Sequence, residues 1–221
     1  MKLKKGGVKD YLWQTLCKYQ NEKIFDSYYL VGGTALSLLI EHRISTDIDL
    51  FTKEDLNKEE IFNFSKKIDV NVEIKNSSEK IFQIIFPNST PEKILKIDFV
   101  SYEYPLLEPY VENDDNIRII GKNDISAMKM SAAGTRGYET RDFVDLYYLL
   151  KDIPIEKIVD NFKKKYKTHN IEHYLRSIVY FDDVNKESWA SVKMVHGGFS
   201  INDVKNKLVS EVSNYYKNIH K

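Results

Sequence analysis

The sequence predicts an α/β protein, of the α+β type, in which a mixed sheet is followed by a helical region. Strand-like runs and helical periodicities alternate up to residue 120, and from Gly121 onward the apolar residues recur with helical spacing. With 221 residues, of which 42% are hydrophobic, the chain can form one large domain or two small ones. We therefore expect an α/β core over residues 1–120 and a helical region over residues 121–221.

Helices and strands alternate in the predicted core. Apolar residues at helical spacing predict helices over 8–25, 34–42 and 53–68. Alternating or β-favouring runs predict strands over 28–31, 46–51, 70–74, 81–86 and 94–100. Pro87 and Pro91 punctuate the last two of these runs, as the connection of a hairpin would.

The second part of the chain is predicted to be helical. Asn123 or Asp124 is placed to cap a helix that runs through residue 133. Gly134 and Gly137 predict a break before another helix over 140–150. We predict further helices in the region after Pro154, in the lysine cluster at 163–167 and in the tail over 201–220.

Composition limits the class of protein. The 33 basic and 33 acidic side chains cancel, which excludes a polycation built to coat nucleic acid. Cys17 is the single cysteine, so the chain has no internal disulfide. The N-terminus lacks the apolar run of a secretory signal, and no apolar stretch approaches the roughly 20 residues of a membrane helix. We expect a soluble, cytoplasmic protein with no membrane partner.

The strongest local signal is a glycine pair followed by a strand with two aspartates. Because strand side chains alternate, Asp47 and Asp49 are predicted to lie on the same face. Two neighbouring carboxylates repel unless a cation lies between them, and such hard oxygen ligands suit Mg²⁺. Gly32 and Gly33 allow a close backbone turn at the start of a helix, where free N–H groups favour an anion. The pattern predicts a phosphate cradle beside metal-binding carboxylates.

A third carboxylate follows on a later predicted strand. In the run 94–100, alternate apolar residues form one face, and Lys96 and Asp98 lie on the other. Beside the two-aspartate strand, Asp98 is predicted to complete a two-ion Mg²⁺ site and to accept the proton of an attacking hydroxyl. The alternative is a surface acid paired with Lys96 or Lys93.

These motifs resemble a known group of enzymes. Gly32-Gly33, thirteen residues, Asp47-x-Asp49 and the later strand aspartate are similar to the pattern of the DNA polymerase β nucleotidyltransferase superfamily. The fuller string resembles the AbiEii/AbiGii toxin-like nucleotidyltransferase family. Two segments support this narrower match, namely 124–132, which contains Lys129, and 136–147, which contains Arg136, Arg141, Asp142 and Asp145. The resemblance covers about residues 28–150.

The resemblance implies a polymerase-β-like nucleotidyltransferase core and the toxin of a toxin–antitoxin or phage-defence pair. Such a protein uses Mg²⁺ and an NTP, transfers NMP to an acceptor hydroxyl such as the 3′ end of tRNA, and has a cognate antitoxin as partner. The implied catalytic residues are Asp47, Asp49, Asp98 and Lys129, with the three aspartates as metal ligands and Lys129 on the triphosphate. The implied nucleotide-binding residues are Gly32, Gly33, Thr34, Lys129, Asp142 and Asp145. Of these, Asp142 or Asp145 would position Lys129 or the base.

Several of these residues have simpler interpretations. Lys129 is also consistent with a solvated helix residue, and Arg141 and Asp145 with an intrahelical ion pair. The cluster 163–167 is typical of a solvated face; if the acceptor is RNA, it is the candidate for phosphate contacts, with Tyr166 stacking on a base. The alternatives for function are transfer to a small molecule or a protein side chain, and a catalytically silent nucleotide-binding protein that acts through a partner.

A second motif is rejected. His169, Glu172 and His173 have the H-x-x-E-H spacing of an inverted zinc-protease motif. They follow a lysine cluster that opposes cation binding, and no third-ligand motif is found downstream. We expect these histidines to be exposed on a basic helix rather than bound to zinc.

Overall fold

The computed structural model describes residues 1–90, 93–136, 139–184 and 186–219. Pro91, Gly137 and His220 lie outside the described residues, as do the side chains of Lys93 and Arg136. The chain divides into two compact units. The first, called the sheet unit, comprises Met1–Tyr104 and Tyr110–Ile120, and the second, called the helical unit, comprises Pro105–Pro109 and Gly121–Lys221.

The sheet unit contains a five-stranded mixed sheet, which confirms the predicted fold class. Its strands are β1 (Tyr29–Val31), β2 (Asp47–Thr52), β3 (Glu73–Ser77), β4 (Ile81–Thr90) and β5 (Lys93–Ser101), in the spatial order β1-β2-β5-β4-β3. Strands β2 and β5 are parallel, and the other neighbouring pairs are antiparallel. The helices of this unit are α1 (Asp10–Gln20), α2 (Gly32–Ile40) and α3 (Lys58–Ile68).

The two faces of the sheet differ because its strands alternate polar and apolar residues. One face is apolar and buried in the core, through Leu30, Ile48, Leu50, Phe82, Ile84, Ile97 and Phe99. An aromatic cluster covers it, in which the ring of Tyr19 from α1 lies 5.2 Å from Phe64 of α3 and 5.5 Å from Phe99 of β5. The opposite face of β2 and β5 carries the aspartates and is partly exposed.

Several predicted elements of the sheet unit have different bounds in the structure. Helix α1 ends at Gln20, and a separate 3-10 turn covers Lys23–Phe25. Helix α3 begins five residues later than the predicted start, because the Asn57 side chain accepts from Glu60 N at 3.2 Å and caps it. The strand predicted over 70–74 is misplaced by three residues, because the Asp69 side chain accepts from Asn71 N and forms a turn, and β3 starts only at Glu73. Pro87 lies inside β4, where the register with β5 becomes irregular after residue 86.

The helical unit contains the remaining helices of the described chain. They are α4 (Lys122–Arg136), α5 (Thr140–Leu149), α6 (Ile155–Tyr166), α7 (Glu172–Ser177), α8 (Lys186–Ala190) and α9 (Ile201–Ile219). Helix α4 packs against α5, α6 and α7, and α9 packs against α5 and α6. None of the helices within the described ranges combines the length and the apolar character that crossing a membrane requires.

Helix α4 departs from the prediction at both ends. The expected break at Gly134 is wrong, since the helix continues to Arg136. Gly134 is instead a packing position: a Cβ there would lie 2.1 Å from Tyr174 Cδ1. The expected cap at Asn123 or Asp124 is also wrong, because the helix already begins at Lys122 and the Asp124 carboxylate accepts from Leu107 N at 3.0 Å.

A buried ion pair links α4 to α6. Lys165 Nζ lies 2.7 Å from Asp124 Oδ1 and donates to the Pro105 carbonyl at 2.9 Å. The two side chains are 1% and 0% exposed. The interpretation of the lysine cluster as a solvated face is therefore wrong for Lys165, although Lys164 and Lys167 are exposed. The pair also holds the segment that returns to this unit at Pro105–Pro109.

We expect Lys165→Met to lower the free energy of unfolding by about 3–5 kcal/mol, because it leaves the Asp124 carboxylate buried without its cation. The measurement is urea unfolding, monitored by circular dichroism. Lys164→Met is the matched control and should change the free energy by less than about 0.5 kcal/mol, since Lys164 is exposed. Equal, small effects of both substitutions would contradict a structural role for the pair.

Candidate functional site

Three aspartates lie together on the polar face of the sheet unit. Asp47 and Asp49 alternate with buried residues along β2 and are half-buried, as the sequence predicts. Across the parallel pairing of β2 with β5, Asp49 lies opposite Asp98, and Asp47 lies opposite Lys96. Directly opposite side chains in paired strands are close neighbours. The sheet thus gathers the three carboxylates, with one lysine, on adjacent positions of one face.

Gly32 brings the start of α2 against Asp49. Its φ of +72° is in the left-handed region, and a Cβ there would lie 2.3 Å from Asp49 Oδ2. A residue with a side chain would be strained and would also displace the carboxylate. The first glycine of the pair is therefore required by the closeness of Asp49 to the helix N-terminus.

The second glycine and Thr34 adjoin the segment that leads into β2. A Cβ on Gly33 would lie 2.3 Å from the guanidinium of Arg43, which is itself buried. Thr34 is 1% exposed, and its hydroxyl lies 2.9 Å from Ser45 Oγ and donates to the Asp47 carbonyl. Thr34 thus fixes the backbone at the start of β2, and its predicted contact with phosphate stays a prediction.

Asp98 is held at both carboxylate oxygens. Gln83 Nε2 donates to Oδ1 at 2.7 Å, and Lys96 Nζ lies 3.0 Å from Oδ2. Burial alone would lower the pKa of the Lys96 ammonium, but Asp98, with Asp47 and Asp49, holds that pKa above its usual value. Asp98 does pair with Lys96, which is the alternative to a catalytic role considered above. It also lies opposite Asp49 in the strand pairing.

Sequence reasoning missed Gln83 and Tyr11 in this region. Gln83 reaches Asp98 only because β4 pairs with β5, and no local pattern reveals that neighbour. Tyr11 lies on α1, and its buried hydroxyl has no hydrogen-bond partner among the residues that the structure describes. Burial, and then the Asp47 carboxylate, raise the pKa of this hydroxyl. Tyr11 is therefore part of the electrostatic surroundings of Asp47.

The donor chemistry of this face suits a divalent cation. Carboxylate oxygens are the hard ligands that Mg²⁺ takes in proteins, and Asp47, Asp49 and Asp98 supply them side by side. Within the described ranges, no group of three or more His, Cys, Asp or Glu side chains is arranged closely enough to hold a metal ion. The ammonium of Lys96 lies beside one of these carboxylates, that of Asp98.

The helical unit contains the remaining predicted site residues. Lys129 of α4 is 7% exposed as a residue and lies 2.7 Å from Asp142 Oδ1 and 2.6 Å from Asp145 Oδ2, both on α5. The interpretation of Lys129 as a solvated residue is therefore wrong, and both aspartates position it. Arg141 is exposed and lies 3.4 Å from Glu139.

The rejected zinc motif is dispersed in the structure. Helix α7 begins at Glu172, so His169 lies before it. Glu172 binds Arg176 at 2.8 Å and Tyr216 at 2.7 Å, and the His173 ring lies 2.7 Å from the Gly134 carbonyl. Both histidines are exposed, as predicted, but only His173 is on the helix.

Known structures share the fold of this chain. A candidate nucleotidyltransferase of H. pylori aligns with a TM-score of 0.64 and 16% identity, over 96% of this chain and 95% of that chain. JHP933 from Helicobacter pylori aligns with a TM-score of 0.59 and 16% identity, over the same shares. At these identities the likeness shows a common fold. In sequence, the uncharacterized protein aq_aa25 of Aquifex aeolicus (strain VF5) is 35% identical over 176 residues, which are 77% of this chain and 81% of the relative.

The family is identified by a match over most of the chain. Residues 14–194 match the family described as nucleotidyl transferase AbiEii toxin of type IV toxin–antitoxin systems, and the chain belongs to that family. This confirms the resemblance drawn from the motifs and extends it beyond residue 150. The protein is a nucleotidyltransferase, and the family implies a nucleotide substrate and an antitoxin partner.

We expect Gly32→Ala to lower the free energy of unfolding by more than its backbone strain alone. A positive φ costs a residue with a Cβ about 1–2 kcal/mol, and the clash with Asp49 adds about 1–3 kcal/mol. Urea unfolding measures both. Gly197→Ala is the reference for strain, because Gly197 has a φ of +63° and nothing within 4 Å of an added Cβ.

A double-mutant cycle isolates the contact. In an Asp49→Ala background, Gly32→Ala should cost about as much as Gly197→Ala, since the carboxylate is gone. The close approach of Gly32 to Asp49 is contradicted if Gly32→Ala costs the same in both backgrounds.

Proposed function

We propose that the protein transfers NMP from an NTP to the 3′-terminal hydroxyl of tRNA with the help of Mg²⁺. The single observation that carries the proposal is the register of β2 with β5, which sets Asp49 opposite Asp98 beside the glycine that opens α2. Paired carboxylates next to a helix N-terminus suit a ligand that combines phosphate with a divalent cation. The membership of the nucleotidyltransferase toxin family supports the same reaction class.

The proposed reaction is an in-line displacement at phosphorus. The acceptor hydroxyl oxygen bonds to the α-phosphorus, the bond from that phosphorus to the bridging oxygen breaks, and pyrophosphate leaves. Asp98 takes the proton of the attacking hydroxyl. Its two oxygens accept from Gln83 and Lys96, and each carboxylate oxygen has capacity for a further hydrogen bond.

The metal-binding aspartates, the two glycines and Lys129 have separate roles in this proposal. Asp47, Asp49 and Asp98 are the residues that would hold Mg²⁺, which when bound neutralises phosphate charge and polarises the reacting oxygens. The backbone of Gly32 and Gly33 at the start of α2 binds phosphate oxygens. Lys129, held by Asp142 and Asp145, binds the triphosphate.

An aromatic run beside the carboxylates supports an acceptor or nucleotide with an exposed base. Phe51 follows Asp49 by two residues and so lies on the same face of β2. Its ring lies 5.0 Å from Tyr102, and Tyr102 lies 5.1 Å from Tyr104, which is 37% exposed. Bases that are not stacked in a duplex bind to such rings. This surface is suited to the base of the NTP or of a nucleic-acid end.

We expect Asp49→Asn and Asp98→Asn each to reduce NMP transfer at least about 1000-fold, because each removes charge that the reaction requires. The assay follows label from the α-phosphate of each ribonucleoside triphosphate into total tRNA with Mg²⁺. Asp114→Asn is the control, since Asp114 belongs to the same unit and its side chain is 72% exposed.

The outcomes separate the proposal from its rivals. Label on tRNA that is lost in both variants and kept in Asp114→Asn supports it. Transfer to a small hydroxylated molecule or a protein, and not to tRNA, favours the small-molecule or side-chain alternative. NTP binding with no transfer to any acceptor indicates a catalytically silent nucleotide-binding protein.

Lys129 is tested against a second buried lysine of the same unit. Lys129→Met and Lys165→Met each remove the ammonium of a buried ion pair. We expect only Lys129→Met to weaken NTP binding, by about 10- to 100-fold, because a charge-assisted contact contributes about 1.5–3 kcal/mol. Titration with a fluorescent NTP analogue measures the affinity. Equal losses in both variants would show that Lys129 acts only on the stability of the unit.

A further inference from the structure

We propose that Lys96 is a resident counter-cation of the carboxylate face and that a divalent cation must displace its ammonium to bind. This inference rests on the proposed function, since it concerns the cation site assigned there to Asp47, Asp49 and Asp98. It adds a residue that sets the affinity of that site.

The position of Lys96 follows from the strand register. Lys96 lies opposite Asp47 and precedes Asp98 by two residues, so all three side chains share one face. Its Nζ lies 3.0 Å from Asp98 Oδ2. An ammonium at this position faces the carboxylates of both strands, and the pairing of β2 with β5 is enough to place it there.

The charges on this face require a cation. Three carboxylates on adjacent register positions repel one another, and Lys96 supplies a positive charge beside them on the same face of the sheet. Because Gln83 holds the other oxygen of Asp98 at 2.7 Å, the Asp98 carboxylate is kept in place while its Oδ2 binds Lys96. A metal ion and this ammonium therefore compete for the same carboxylate oxygens.

The ammonium is able to leave. The Lys96 side chain is 36% exposed, whereas that of Asp98 is 17% exposed. A lysine is a flexible stem with a strongly hydrated charge, so it can move into solvent without unpacking the core. The exchange of one cation for another leaves positive charge beside the carboxylates in both states.

Removal of the competing charge should tighten metal binding. We expect Lys96→Gln to bind Mn²⁺ about tenfold more tightly than the unaltered protein, because an opposite charge in direct contact perturbs a carboxylate by at least that factor. Lys96→Arg keeps a cation, whose guanidinium is less hydrated and binds carboxylates at least as well, so this variant should not bind Mn²⁺ more tightly than the unaltered protein. Lys80→Gln is the charge control: Lys80 pairs with exposed Glu103 in the same unit.

The experiment titrates Mn²⁺ into the full-length protein in the absence of NTP and measures free Mn²⁺ by electron paramagnetic resonance. A second readout, the thermal unfolding midpoint, is taken in EDTA and in Mn²⁺. Lys96→Gln should unfold at a lower temperature than the unaltered protein in EDTA and gain more from Mn²⁺, whereas a lysine needed only for packing would lower both midpoints alike.

The outcomes distinguish this inference from the proposed function. If the unaltered protein binds Mn²⁺ through Asp49, as shown by loss in Asp49→Asn, and Lys96→Gln binds equally or more weakly, then only the role of Lys96 is overturned. If Lys96→Gln alone binds measurably, the inference is supported. If neither protein binds Mn²⁺, both the cation site and the role of Lys96 are overturned.

Discussion

The parallel pairing of β2 with β5 is the constraint on which the site depends. It sets Asp49 opposite Asp98 and Asp47 opposite Lys96, and therefore concentrates like charges on one face of a sheet whose other face is a packed apolar core. Such a concentration is unfavourable without compensation. Much of the neighbouring structure supplies it, since Gln83 and Lys96 bind Asp98 and the N-terminus of α2 adjoins Asp49 through Gly32.

The same constraint explains residues that are small or polar for no local reason. Gly32 has no side chain because Asp49 occupies that space, and Thr34 is a buried hydroxyl because the Asp47 carbonyl needs a donor. Neither residue has to touch a ligand to be required. Backbone fixation and ligand binding are thus separate demands on the Gly-Gly-Thr segment, and a loss of activity on substitution there would not identify which demand had failed.

The polar face of the sheet could be predicted from the alternation of residues along single strands. The contacts that neighbouring elements make with this face could not, because they depend on the order of the strands. Alternation along β2 and β5 is enough to place Asp47 with Asp49 and Lys96 with Asp98 on common faces. The partnership of Gln83 with Asp98 requires that β4 lie beside β5, and the influence of Asp47 on Tyr11 requires the position of α1. Both contacts join residues that are far apart in the sequence, so no local pattern predicts them. The strand misplaced at 70–74 failed for the opposite reason, since the turn at Asp69 is a local hydrogen bond that competes with β-propensity.

The helical unit shows why charge in a sequence is a poor guide to exposure. The chain is rich in lysine, and this composition favours solvation for both Lys129 and Lys165. Each is nevertheless buried in an ion pair with one or two aspartates of another helix. A buried charge lowers the stability of the fold unless its oppositely charged partners are present. Asp142 and Asp145 meet Lys129 because they lie three residues apart on one face of α5, a spacing that the sequence did contain. Asp124 meets Lys165 across 41 residues, and that pair could be found only once α4 and α6 were seen to pack together.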